Sequence, residues 1–396
     1  MLKLNHLNLV QCLVIMLFAL APFVMSISNS EMTEMLTIRT LPPITLTIAS
    51  VMRWIIFCIL AGVSILYLNT KKGFRITTPV YFISLFYFVQ FCYALVEGVD
   101  YIRFFSLSVL SLLLPPIIGY AIMRNRSITK FFIYCIAFFI FLSVLLNGHL
   151  VLSGHRFSGF VNNSNAYGIS TVFWLVILFL VNQSQSVNKR WFYIIGVAIF
   201  LTMLFAGSRN AMVGVLLIFI LEYFNKLKSF IRSIVLLILL FTIVSYFLDL
   251  SFVLGRFENL SGAAADSGRK DIWKGAYFAI NNNMWWGNGM DANEVIAGTG
   301  NMHNCYIRFV LNMGIVFTVL SLLMYFLSII TSFTQKHKVP LILAGYLVVY
   351  ALMNLGEDYF VGIGSSAFIY MLFIYGFINY YLTKQDAVTN STTKVK

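Results

Sequence analysis

Two arginine-bearing segments and one histidine are the places in this chain where residue type and spacing suit chemistry. Arg209 lies in Gly207-Ser208-Arg209-Asn210, between two apolar stretches that together take about 32 residues. Helices this short draw their turn below the membrane surface, because each residue rises only about 1.5 Å. A recessed guanidinium is costly, so it either binds something anionic or snorkels to lipid headgroups. Arg269 and Lys270 precede Ile272, Trp273, Ala276, Ala279 and Ile280, whose helical spacing predicts an amphipathic helix at the membrane surface. With Asp266 or Ser267 as N-cap, both cations fall in the first turn, where free N–H groups already favour an anion. A bound anion explains that placement, and a solvated face against headgroups is the other reading.

His303, in Asn301-Met302-His303-Asn304-Cys305-Tyr306, sits at the edge of an apolar stretch and offers a side chain able to take a proton. A bland loop histidine or a helix cap are its structural alternatives. Glu357-Asp358 are an adjacent acidic pair near a helix end, suited to a weak metal site or to an arginine partner. Glu222 is expected to pair with Lys226, and Arg53 falls either inside its span or at the interface. No glycine-rich phosphate loop, metal-ligand cluster or catalytic carboxylate pair occupies a cytoplasmic loop, which excludes a nucleotide-sugar or ATP site there. Five scattered cysteines support neither a disulfide framework nor a metal centre.

The elements that must hold these residues are membrane helices. The 396 residues are 60% hydrophobic and 10% charged, far from the roughly one-quarter charged of soluble domains. Apolar stretches near 7 to 27, 47 to 68, 79 to 96, 104 to 123, 129 to 147, 166 to 182, 191 to 207, 210 to 224, 232 to 249, 306 to 333, 339 to 356 and 362 to 382 predict about twelve transmembrane helices. A cleaved signal peptide competes with a retained first helix, and the retained helix is expected. With a cytoplasmic N-terminus, the inner segments hold 17 of the 27 Lys and Arg residues and the outer segments nine. The net charge of +13 is therefore a positive-inside topology signal with both termini cytoplasmic, and nucleic acid is not an expected partner. The expected organisation is one transmembrane domain over 1–383, a smaller outer loop at 148–165, a large outer loop at 250–305 between spans nine and ten, and a polar, disordered cytoplasmic tail at 384–396. Long outer loops are where function concentrates.

Taken in order, Arg156-Phe-Ser-Gly-Phe-Val-Asn-Asn-Ser-Asn165, Gly207-Ser208-Arg209, Gly268-Arg269-Lys-Asp-Ile-Trp273, Gly287-Asn288-Gly289, His303-Asn304 and Asn312-Met313-Gly314 resemble the O-antigen ligase and polymerase superfamily over nearly the whole chain. The resemblance implies an all-α, GT-C-like glycosyltransferase of the bacterial inner membrane, working on its periplasmic face with undecaprenyl-diphosphate-linked sugars, without metal or soluble cofactor. It implies that Arg209 and Arg269 hold the donor diphosphate and that His303 is the base. Arg156, Lys270, Asn304 and Asp358 are possible further substrate contacts. One departure is that Gly168 lies twelve residues after Arg156, where the polymerase branch is described with eleven. Donor and acceptor would be lipid-linked glycans, with membrane lipid and a chain-length regulator as further partners. A polymerase extends the next lipid-linked repeat unit, whereas a ligase transfers to lipid A-core. The Gly-Asn-Gly and His-Asn-Cys-Tyr-Ile-Arg region looks more like the polymerase. A flippase is the alternative of another class, but it would spread ionisable residues through several spans.

Overall fold

A computed structural model describes residues 7–23, 41–71, 74–153, 156–161, 164–183, 188–223, 269–292, 302–334, 339–360 and 365–393. The described residues form helices and connecting turns, with no strand among them. In order they are α1 Leu9–Leu20, α2 Pro43–Thr70, α3 Thr78–Glu97, α4 Tyr101–Arg124, α5 Ile128–Leu152, α6 Ser164–Gln183, α7 Lys189–Ala206, α8 Arg209–Tyr223, α9 Arg269–Asn282, α10 Cys305–Thr334, α11 Leu341–Met353 and α12 Ser366–Thr393. Eight of these are long and apolar enough to cross a bilayer. In lipid every backbone N–H and C=O must be satisfied within its own segment, which is why such apolar runs become helices. Eleven of the twelve expected spans coincide with a described helix. The ninth, at 232 to 249, lies outside the described residues, as does most of the large loop.

Two compact units divide the chain: residues 1–14, 54–125 and 263–396 make one, and residues 15–53 and 126–262 the other. In the first, α3 packs against both α4 and α10, and the almost wholly buried Ser366–Lys384 part of α12 packs against α4. In the second, α6 is the buried centre against α5, α7 and α8. Phe18 of α1 stacks on Phe132 of α5 with ring centroids 4.4 Å apart. Outward-facing apolar residues such as Ile55, Ile59 and Leu66 of α2 are exposed, the pattern expected where lipid is the solvent.

Three boundaries differ from expectation. The smaller outer loop is shorter than 148–165, since α5 continues to Leu152 and α6 starts at Ser164. The polar tail expected to be disordered continues α12 to Thr393, because extending an existing helix avoids the cost of a new nucleus. Arg53 lies ten residues into α2, buried, with Nε donating to Ala49 O at 3.3 Å, so it is not at the helix start.

The bend in α10 is built by two glycines. Gly314 leaves helical geometry at φ 70°, ψ 176°, and Gly287 lies against it with φ 82°. A Cβ on Gly287 would come 2.2 Å from Asn312 O, and one on Gly314 would come 2.3 Å from Trp285 O. Only glycine permits both the positive φ and this approach of two backbones. The inserted segment takes over the backbone groups the break releases: Asn288 N and Gly289 N donate to Leu311 O and Asn312 O at 3.0 and 3.1 Å, and Ile315 N donates to Met284 O at 2.9 Å. Asn312 Nδ2 donates to Met290 O at 2.7 Å. Two of the short motifs found in the sequence are thus one structural joint.

Candidate functional site

In the second unit, the site is the turn before α8. Helix α7 is complete, from the Asn188 cap to Gly207 in left-handed geometry. Its 18 residues rise about 27 Å, close to the roughly 30 Å hydrocarbon core. The last carbonyls of a helix have no partner within it; here the segment after α5 supplies one set. Phe157 N donates to Phe205 O at 2.9 Å, and Arg156 Nε donates to Ala206 O at 3.0 Å. One Arg156 Nη reaches Gly207 O at 3.5 Å and Asn165 Oδ1 at 3.1 Å. Arg156 therefore spends its planar fork on the backbone that carries the turn.

Gly168 completes the cradle, since a Cβ there would come 2.7 Å from Ala211 Cβ and 2.9 Å from Ser208 Cβ. Its missing side chain lets α6 lie directly under the turn. Arg209 itself, half-buried, opens α8 and has no hydrogen-bond or ion-pair partner among the described residues. Guanidinium and first-turn amides together are chemistry for an anion. Glu222 accepts from Gln183 Nε2 at 2.8 Å; its expected partner Lys226 lies outside the described residues.

In the first unit, the site is the corner before α10. His303 has φ 50°, a left-handed conformation that costs a non-glycine residue about 1–2 kcal/mol. Its Nδ1 is 3.4 Å from Glu357 Oε2, with side-chain exposures of 33% and 8% respectively. Where Nδ1–H faces the carboxylate, the tautomer leaves Nε2 as the basic nitrogen. Capping α10 is the work of Asn304, whose Oδ1 accepts from Tyr306 N and Ile307 N at 3.0 Å each, so the cap reading does not apply to His303. Asp358, the other half of the acidic pair, takes the arginine-partner role: Arg308 Nη1 lies 2.5 Å from its Oδ2. Among the described residues no cluster of His, Cys, Asp and Glu suited to a metal is present.

Helix α9 is the predicted amphipathic helix, and its apolar face packs on protein. Ala276 and Ala279 are buried with Met302 and Leu311, and Ile272, Trp273, Ile280 and Ile307 lean on that cluster. Trp273 Nε1 donates to Met302 O at 2.9 Å. This bond ties the helix that begins with Arg269 to the residue before His303, so the structure brings those two segments together. Of Arg269 and Lys270 only the backbone is described, as the start of α9; Asp266 and Ser267 lie outside the described residues.

Arg308 and Gly168 are not site candidates in the sequence, and Glu357 is one only as half of an acidic pair suited to a metal or an arginine. Glu357 lies 54 residues from His303, a separation that carries no periodic signal.

Taken together, the chain is a multi-pass helical membrane protein whose Arg209 has no partner among the described residues and whose His303 faces a carboxylate. Residues 194–322 match the family described as O-antigen ligase. The matched segment is about a third of the chain and contains Arg209, Arg269 and His303; Arg156, Glu357 and Asp358 lie outside it. No curated protein matches the chain.

Proposed function

We propose that the protein is a metal-independent, inverting membrane glycosyltransferase that polymerises undecaprenyl-diphosphate-linked repeat units into O-antigen or capsular polysaccharide on the periplasmic face of the inner membrane. In the reaction an acceptor sugar hydroxyl attacks the anomeric carbon of the donor glycan, the bond from that carbon to the diphosphate oxygen breaks, and undecaprenyl diphosphate leaves. The proton of the hydroxyl passes to His303. Arg209 and Arg269 contact the diphosphate, whose charge grows as it departs, through bidentate hydrogen bonds. Lys270 adds positive charge beside Arg269, Arg156 holds the Arg209 turn, and Asn304 and Asp358 fix the frame around the histidine.

The observation that carries this reading is the His303–Glu357 pair before α10, supported by the family match over residues 194–322, which include His303. A donor already activated as a diphosphate ester needs charge stabilisation and a base, and these are the two kinds of group present. Both termini are assigned to the cytoplasm from the distribution of Lys and Arg, and a chain-length regulator is a natural partner for a polymerase.

Ligase activity is the second reading, favoured by the description of the matched family. Purified protein given only lipid-linked repeat units separates the two. Products longer by whole repeat units are expected; a strict need for lipid A-core would overturn polymerisation in favour of ligation.

A further inference from the structure

A groove of about 450 Å3 lies in the first unit beside the α3–α4 turn, lined by Trp54, Asp100, Tyr101, Ile102, Arg103 and Ser106. Its volume falls in the roughly 300–1,000 Å3 range of small-molecule sites. Asp100 and Arg103 also line a second recess of about 10 Å3, room for a group the size of one hydroxyl, which Gln90, Arg308 and Asn312 line as well. We infer that this cleft is the subsite for the acceptor sugar, an uncharged pyranose bearing the attacking hydroxyl.

Charge decides between a sugar and a phosphate. Arg103 Nη1 is 3.2 Å from Asp100 Oδ2, and Arg308 is held by Asp358 at 2.5 Å. Each guanidinium of the cleft is thus already balanced by a carboxylate. Glu97 and Asp291 bring further carboxylate oxygens near Gly289, the neighbour of Met290 in the recess wall. A diphosphate entering here would meet anions with no surplus cation. A sugar hydroxyl, which donates and accepts, suits a mixed set of amide, carboxylate and guanidinium groups.

Gln90 points the same way. Its side chain is fully buried; Nε2 donates to Phe86 O of its own helix at 3.2 Å, while Oε1 has no hydrogen-bond partner. An orphaned buried acceptor costs about 1–3 kcal/mol, and a hydroxyl in the recess would recover it. At the mouth, the half-exposed rings of Trp54 and Tyr101 offer apolar faces to a sugar's C–H face, the usual composition of a ligand pocket.

The acceptor, not the donor, is assigned because the recess adjoins the histidine corner along the chain. Arg308 is five residues on from His303 in α10, and its partner Asp358 follows Glu357, the residue facing His303. This assignment rests on the glycosyl-transfer reading but holds for polymerase and ligase alike, since both transfer to a sugar hydroxyl.

The test is binding without turnover. Full-length protein in nanodiscs is titrated with the repeat-unit oligosaccharide freed of lipid and diphosphate by mild acid, read by saturation-transfer NMR, and separately with inorganic pyrophosphate. Asp100→Asn, at the exposed mouth, and Gln90→Leu, in the recess, are each expected to weaken oligosaccharide binding about tenfold, the loss of one hydrogen bond to a charged or buried group, without weakening pyrophosphate binding. Arg209→Ala is expected to do the reverse. Unchanged oligosaccharide affinity in both Asp100→Asn and Gln90→Leu overturns the subsite, as does a loss confined to pyrophosphate or full displacement of the oligosaccharide by phosphatidylethanolamine. Wild-type binding that depends on Asp100 and Gln90, combined with turnover only when lipid A-core is added, would remove the polymerase reading and leave the subsite standing.

Discussion

The Arg209 turn and the His303 corner handle charge in opposite ways. At the turn, a neighbouring arginine is consumed by backbone carbonyls, and Arg209 is left with no counter-charge among the described residues. At the corner, cationic or protonatable groups are matched to carboxylates: His303 to Glu357, Arg308 to Asp358. A site with surplus positive charge waits for an anion, whereas a balanced one can orient a neutral hydroxyl and move its proton. On the proposed reading, this contrast would assign the diphosphate to the Arg209 turn and the acceptor hydroxyl to the His303 corner.

The comparison predicts its largest effect at Arg209. Both Arg209→Ala and Arg209→Lys are expected to lower polymerisation on the order of a hundredfold or more, because lysine keeps the charge but loses the planar fork. Assay of equal amounts of membrane-inserted protein tests this, and a fully active lysine variant would reduce the turn to a field of positive charge. His303→Ala is expected to cost about a hundredfold in kcat while donor binding, measured separately, stays near wild type. His303→Asn should be equally poor, since Asn304 already caps α10; an active Asn variant would remove the histidine from the chemistry.

Smaller effects sharpen the contrast. Glu357→Gln is expected to lower kcat roughly tenfold with little change in KM, and Glu357→Asp to restore part of it, because the carboxylate acts by orienting the imidazole. Equal losses in kcat and protein stability would mark Glu357 as merely structural. At the other region, Gly168→Ala is expected to cost about 1–3 kcal/mol of stability through overpacking against Ser208 and Ala211, seen as a lower Tm. Trp273→Phe should cost about 1 kcal/mol through the lost bond to Met302, the least of the five.

Much of this was legible in the sequence because lipid imposes a simple code: long apolar runs become helices, and charge at their ends is conspicuous. Arg209 and His303 stood out as polar groups at such boundaries, and the helical spacing of Ile272, Trp273, Ala276, Ala279 and Ile280 located α9. That this face would pack on Met302 and Leu311 rather than lie on the membrane depends on a contact between distant segments, which periodicity does not encode. Arg156 drew attention by type, but its use on the carbonyls of Ala206 and Gly207 depends on where α7 ends. Gly168, one residue off the described spacing, still fits beneath Ser208, because what the turn needs is a missing side chain on the facing helix.

The joint of Gly287 with Gly314 gives the outer region a fixed depth. Gly314 lies nine residues into α10, about 14 Å along its axis, so the stretch from Met284 to Met290 is a peg driven into the span and not a flap resting above it. The backbone hydrogen bonds from Asn288, Gly289 and Ile315 across this joint tie the segment that follows α9 into α10 itself, so displacing that segment would break α10's own backbone pairing.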